Sequence, residues 1–302
     1  MELVIDAKHI YKNYASKSAL VDFSLQVPKN TIFGLLGPNG AGKTTAIEIM
    51  LGLRKRDEGE LAVLSKDPEI EFDLISDSIG AMLQEGGINP GLTPKEAVSL
   101  YASFYSNPLD IDEIIQRVNL TGVKTMVRRL SGGQKQSLSL ALALIGQPKL
   151  VFLDEPTAGM DPKARRSTWE IIKELQSKGT TVIITTHLMD EAQLLCTDIA
   201  IVSNGKVVTQ GKTQEIMDSH QDSLDIVFEK DIDIFKMDGV DESNCIKIDE
   251  SHYKLSVVAN PKFLYDLTEF ALKNNILITQ YSSLSKTLEE VFIELTEEKD
   301  GK

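Results

Sequence analysis

Eight residues, Gly37-Pro38-Asn39-Gly40-Ala41-Gly42-Lys43-Thr44, constrain this chain more than any other feature. They fit the pattern GxxxxGK[ST] and stand where it has physical meaning, between an apolar run at 31–36 that reads as a strand and an apolar-faced segment at 43–51 that reads as a helix. Glycine lets the backbone curl until its N–H groups converge on phosphate oxygens. The helix that follows adds unpaired N–H groups and the positive end of its dipole. In such a loop Lys43 neutralises the charge of β and γ phosphates and the Thr44 hydroxyl faces Mg2+. Thr45 joins them as a candidate ligand.

A second feature completes the first. Leu150-Val151-Phe152-Leu153-Asp154-Glu155-Pro156 is an apolar strand that ends in two carboxylates. Such a strand delivers Asp154 rigidly to a sheet edge, where it can hold Mg2+ through a coordinated water, and sets Glu155 to orient or deprotonate an attacking water. His187 closes another apolar run, at 181–187. Around these, helix 133–145, strand 149–153, helix 162–177, strand 180–185 and helix 190–195 alternate. That order predicts right-handed βαβ crossovers, a largely parallel sheet covered on both faces, and a ligand site at the strands' carboxyl ends.

Upstream, residues 3–10, 19–27, 31–36 and 59–63 read as strands, while 94–104 and 111–118 have helical spacing, with Thr93-Pro94 as a helix start. These predict a helical subdomain inserted at about 85–145. Runs at 199–202 and 206–210 flank Asn204-Gly205 as a hairpin. Beyond Gly211 the pattern becomes strands at 225–228, 245–248, 253–258 and 276–281 with helices at 261–273 and 286–296, a small α+β unit. Charge marks the same border: of 45 acidic and 32 basic residues, 219–302 hold 18 and 9. We therefore expect domains at 1–218 and 219–302. A net charge of −13 argues against a clamp on nucleic acid. Cys196 and Cys245 are too few for a disulfide scaffold and fit a reducing cytoplasm. No apolar stretch reaches the roughly 18 residues of a membrane span, and no signal-peptide core opens the chain, so the polypeptide is expected to be soluble by itself.

Leu130-Ser131-Gly132-Gly133-Gln134 resembles the signature sequence of the ATP-binding cassette family. Alone it would be a serine-capped helix; as a second phosphate-binding nest it has a chemical rationale. The resemblance spans about residues 3–215 and implies a P-loop NTPase cassette with a mixed β-sheet core. It also implies that each ATP is enclosed between the phosphate loop of one copy and Ser131, Gly132, Gly133 and Gln134 of another, so that a homodimer is expected. By the same resemblance Tyr14 stacks on adenine, with Tyr11 as a rival. Gln84 senses Mg2+ and the transport subunit, Glu155 is the catalytic carboxylate, and His187 contacts the γ phosphate. Ala158-Gly159-Met160-Asp161 then crosses the interface, although Asp161 before Pro162 serves equally as a helix cap. Ser137 departs from the pattern, which often has a basic residue there.

Three functions fit a cassette. A transporter subunit would act on a separately encoded permease, docked near residues 84–106, at the cytoplasmic face of the membrane. Residues 86–105 and 287–296 resemble the bacterial branch that exports drugs, antibiotic peptides or lipids. The alternative is a soluble ATPase acting on ribosomes or nucleic acid. Such translation factors usually carry two cassettes, and the 47 positions from Gln84 to Ser131 hold neither heptads nor a cysteine cluster for a repair-type insertion. A sensor without turnover is disfavoured by the presence of both Glu155 and His187.

Overall fold

The computed structural model describes residues 2–14, 17–83, 87–219, 223–255, 261–284 and 286–297. The chain divides into two compact units, Met1–Thr213 and Gln214–Lys302, five residues before the border read from the charge shift.

The first unit opens with β1 (Leu3–Tyr14), β2 (Lys17–Pro28), β3 (Ile32–Leu36), α1 (Lys43–Met50) and β4 (Glu58–Val63). β1 pairs antiparallel with both β2 and β4, giving a three-stranded sheet in the order β2-β1-β4. There follow β5 (Ile79–Met82), α2 (Pro94–Ala102), α3 (Ile111–Arg117), α4 (Gly132–Leu144), β6 (Leu150–Asp154), α5 (Pro162–Ser177), β7 (Thr181–Thr186), α6 (Met189–Leu195), β8 (Asp198–Ser203) and β9 (Lys206–Lys212). A six-stranded sheet runs β5-β6-β7-β3-β8-β9, parallel except for the β8–β9 hairpin. Every residue of β3, β6 and β7 is buried. Continuous apolar runs of this kind are what central parallel strands require, because both faces are covered and each buried aliphatic side chain contributes roughly 1.5–3 kcal/mol. The core between the two sheets closes on Ile5, Leu20, Phe23, Phe33, Ile47 and Phe152.

The helices α2–α4 lie between β5 and β6. Thr93 and Glu96 form a capping box at the start of α2, with Pro94 in its first turn. β5 was not read from the sequence. It has four residues, and one is Gly80, where an added Cβ would come within 2.0 Å of the Ala143 carbonyl oxygen. The glycine lets the edge strand lie directly against α4 while weakening its strand signature.

A further helix, α7 (Thr213–Ser219), spans the division between the units. The second unit holds β10 (Ser223–Phe228), β11 (Cys245–Lys247), β12 (His252–Leu255), α8 (Pro261–Lys273), β13 (Ile278–Leu284) and α9 (Leu288–Glu297). Its sheet is antiparallel in the order β11-β12-β10-β13, and its core includes Leu224, Ile226, Phe228, Tyr253, Leu255 and Leu267. Of the strand expected at 253–258, residues 256–258 lie outside the described residues.

Candidate functional site

β6, β7 and β3 are neighbours, and their register aligns their carboxyl ends: Asp154 stands opposite Thr185, and Leu36 opposite Thr186. The chain leaves these ends as the loop 37–42, as Glu155 and as His187. Three segments distant in sequence therefore meet on the sheet edge where parallel strands collect ligands.

Gly42 caps α1 with φ 107°, and a Cβ there would lie 2.6 Å from the Ala19 carbonyl oxygen, so both conformation and space exclude a side chain. Lys43 folds back over the loop, its Nζ donating to the carbonyls of Gly37 (2.6 Å) and Pro38 (3.0 Å). Burial draws the Lys43 pKa down, opposed by the carboxylates of Glu155 and Asp154. A cavity of about 350 Å³ opens here, lined among others by Lys43, Thr44, Thr45, Asp154 and Glu155. Asn39, Gly40 and Gly42 complete the loop's share of its wall.

Asp154 is 4% exposed, and burial pushes its carboxyl above the ordinary aspartate value. Thr185 Oγ1 opposes that shift by donating to Oδ1. The other oxygen, Oδ2, is buried and has no hydrogen-bond partner among the described residues. Open lone pairs on a buried carboxylate beside a phosphate-binding loop suit a hard divalent cation. Among the described residues no group of three His, Cys, Asp or Glu could hold a metal ion. A cation here would take most of its ligands from phosphate oxygens and water.

Glu155 adopts φ 50°, a left-handed conformation that costs a non-glycine residue energy and recurs at functional sites. Thr185 holds it there: the Glu155 N–H donates to the Thr185 carbonyl (3.1 Å) and to Oγ1 (3.2 Å). His187 Nδ1 lies 3.0 Å from Glu155 Oε1, and the imidazole is exposed. A carboxylate on the cavity wall, beside an exposed imidazole, is placed to accept a proton from water.

The remaining sequence-predicted residues stand apart. Tyr14 ends β1, partly exposed, with the Arg54 guanidinium 5.3 Å and Lys12 Nζ 5.8 Å from its ring centroid. Tyr11 is half-buried. Ser131 caps α4 in a box with Gln134, accepting its N–H at 3.2 Å and donating its own N–H to Oε1 at 3.0 Å. With Gly132 and Gly133, these residues are not part of the cavity wall. Asp161 Oδ1 caps α5, accepting from the N–H groups of Lys163 (2.9 Å) and Ala164 (3.0 Å). Gln84 lies outside the described residues. A larger cleft, about 740 Å³, lies between α4 and α5 and includes Ser137, so the position that departs from the family pattern borders open space.

Two residues escaped the sequence reading. Thr185 supports both carboxylate positions, and Lys17, paired with Tyr14 across the β1–β2 hairpin, lines the phosphate cavity with Nζ 3.5 Å from the Gly40 carbonyl. Neither belongs to a local motif; each depends on which strands lie side by side.

The family model described as ABC transporter matches residues 20–158. Nod factor export ATP-binding protein I of Rhizobium etli is 34% identical over 225 residues, covering 71% of this chain and 70% of that protein. Daunorubicin resistance ATP-binding protein DrrA3 of Streptomyces coeruleorubidus is 35% identical over 224 residues, covering 72% and 71%. Among solved structures, a dimeric ATP-binding cassette in a post-hydrolysis state bound to ADP and Pi superposes with a TM-score of 0.64 at 26% identity, over 69% of this chain and 98% of that one. On the strength of these relatives, the chain belongs to the ABC transporter family, as a subunit that binds and hydrolyses ATP.

Proposed function

We propose that this chain is one half of a cassette pair that drives a separately encoded membrane permease from the cytoplasmic face, exporting a drug-like, antibiotic-peptide or lipid compound. One observation carries the pairing. Lys43, Thr44, Asp154 and Glu155 share a cavity whose wall excludes the second phosphate-binding cap at Ser131–Gln134. A single copy thus has two halves of a site that do not meet, and a second copy supplies what is missing. The export and drug-resistance names of the relatives support the direction of transport. Among the described residues no helix is long and apolar enough to cross a membrane, which fits attachment through a permease.

Within the pair, Lys43 and the N–H groups of the loop hold the β and γ phosphates, Thr45 lies beside them, and Tyr14 stacks on adenine. Thr44, Asp154 and Gln84 would hold Mg2+, which when bound neutralises charge across the phosphates. Glu155 takes the proton of the attacking water, with His187 and Gln84 completing the surroundings of the γ phosphate. The opposite copy adds Ser131, Gly132, Gly133 and Gln134, and Asp161 crosses between them. Closure around ATP would pull the permease from one orientation to the other, and hydrolysis would reset it. Residues 1–218 do this work, and 219–302 support the pair.

Glu155→Gln tests the reading. It is expected to abolish steady-state hydrolysis, retain ATP and accumulate as a nucleotide-bound dimer on size-exclusion chromatography. Hydrolysis at the parent rate would overturn the assignment of the base.

A further inference from the structure

We infer that Glu191 is a positioning residue that sets Glu155 against His187 from beneath the site, through a buried tie to Thr157 and Trp169. The inference rests on the roles of Glu155 and His187 proposed above. Glu191 lies in the first turn of α6, four residues after His187, and is 1% exposed. Its Oε1 accepts from Thr157 Oγ1 at 2.7 Å and from Trp169 Nε1 at 2.8 Å. Thr157 follows Glu155 by two residues and is itself 1% exposed, while Trp169 belongs to α5. The segments that carry the reactive pair are thus joined twice, at the rim by His187 and Glu155 and below it by Glu191 and Thr157.

Packing alone does not account for a carboxylate here. Glu191 Oε2 is buried and has no hydrogen-bond partner among the described residues. A half-satisfied buried carboxylate destabilises the fold relative to an apolar side chain of similar volume. What it supplies is two short hydrogen bonds, drawn from two different elements onto one oxygen. Those bonds fix the loop after Glu155 to both α5 and α6. The need is evident at Glu155, whose left-handed backbone, φ 50°, persists only where its surroundings over-determine it. Thr185 restrains that backbone from β7, and the Glu191 tie restrains the chain that leaves it.

A tie of this kind acts on turnover and not on nucleotide capture, because none of Thr157, Trp169 and Glu191 lines the cavity and the tie joins the segments that follow Glu155 and His187. In the full chain, Glu191→Ala is expected to lower kcat about tenfold to a hundredfold, the scale of a small misplacement of reacting groups, with the KM for ATP within about twofold. Glu191→Gln keeps an acceptor oxygen for both donors and should restore most of the lost kcat. Trp169 is the sole tryptophan, so its emission reports the tie directly: the Gln variant should keep the parent spectrum and the Ala variant should shift it. If Glu191→Ala does not fold, Thr157→Val and Trp169→Phe, which each remove one donor and leave the carboxylate, carry the same comparison. A parental kcat in Glu191→Ala, or in both single-donor variants, overturns the inference. So does a loss confined to KM, or a Gln variant as impaired as the Ala one. Failure of the underlying reading looks different: Glu155→Gln would hydrolyse ATP at the parent rate whatever Glu191 does.

Discussion

Asp154 is where stability and activity pull in opposite directions. Folded, it holds its proton more tightly than it does unfolded, chiefly because burial penalises the charged form. The cost of ionising it in place is absent below the ordinary aspartate value and complete above the raised one, so its contribution to stability falls as pH rises across that interval. Asp154→Asn removes the charge and keeps an acceptor for Thr185. The ligand-free variant is therefore expected to melt a few degrees above the parent at neutral pH, with the gap closing as pH drops through the same interval. ATP with Mg2+ should stabilise the parent further and the variant by less, because the variant keeps Lys43 and the loop that hold the phosphates but loses a carboxylate that faces the cation. Thermal melts with and without nucleotide check both statements, and a variant that melts below the parent at neutral pH contradicts the first. Asp154 and Glu155 were legible in the sequence because they stand where an apolar run stops, and Lys43 because it belongs to the eight-residue motif that follows one, signals contained in about ten residues. Lys17 and Thr185 were not. Lys17 reaches the cavity because β2 pairs with β1 at Tyr14, and Thr185 meets Asp154 because β7 lies beside β6. Strand order is a property of the assembled sheet and leaves no mark on the residues themselves.

At the level of elements, the legible ones carry their own punctuation. α2 begins with Thr93, Pro94 and Glu96, and α5 with Asp161 and Pro162, so their starts follow from capping chemistry. β13 runs Ile278–Leu284 where 276–281 was expected, because an edge strand with one half-solvated face tolerates a shifted start. α7 has neither a strong apolar stripe nor a proline, and it was missed. The start of α5 raises a question that stability and turnover answer together. Asp161 Oδ1 accepts two N–H groups, so it is a cap within one copy whatever else it does. Asp161→Ala should cost about 1 kcal/mol in urea or thermal unfolding. Asp161→Ser restores a capping oxygen and should recover that stability. If Asp161 also crosses to the opposite copy, the serine variant is stable yet hydrolyses ATP several-fold more slowly than the parent, and that is the expected result. Parental stability together with parental turnover would reduce Asp161 to a cap.

For the whole molecule the decisive part of the proposal is that a complete site needs two chains. Ser131 spends its oxygen as an acceptor within its own copy, taking the Gln134 N–H, while its hydroxyl proton is not used by that cap. A residue can therefore begin α4 in one subunit and donate to a phosphate held by another, and the box with Gln134 presets the geometry for it. Two variants separate the halves. Lys43→Ala damages the phosphate loop and Ser131→Arg obstructs the cap, and each alone should be inactive because both sites of its homodimer carry the lesion. Mixed in equal amounts and allowed to exchange, half of the dimers pair one of each. In such a dimer one site combines both lesions and the other combines neither, so the mixture should recover about a quarter of the parent ATPase if the two sites turn over independently. Recovery should follow the product of the two concentrations, rising and falling with the fraction of mixed dimers. If equal mixing restores nothing while the two variants demonstrably exchange subunits, the sites are not shared between copies. A strictly monomeric form hydrolysing ATP at the parent rate would lead to the same conclusion from the opposite side, since no second cap could then reach the phosphates.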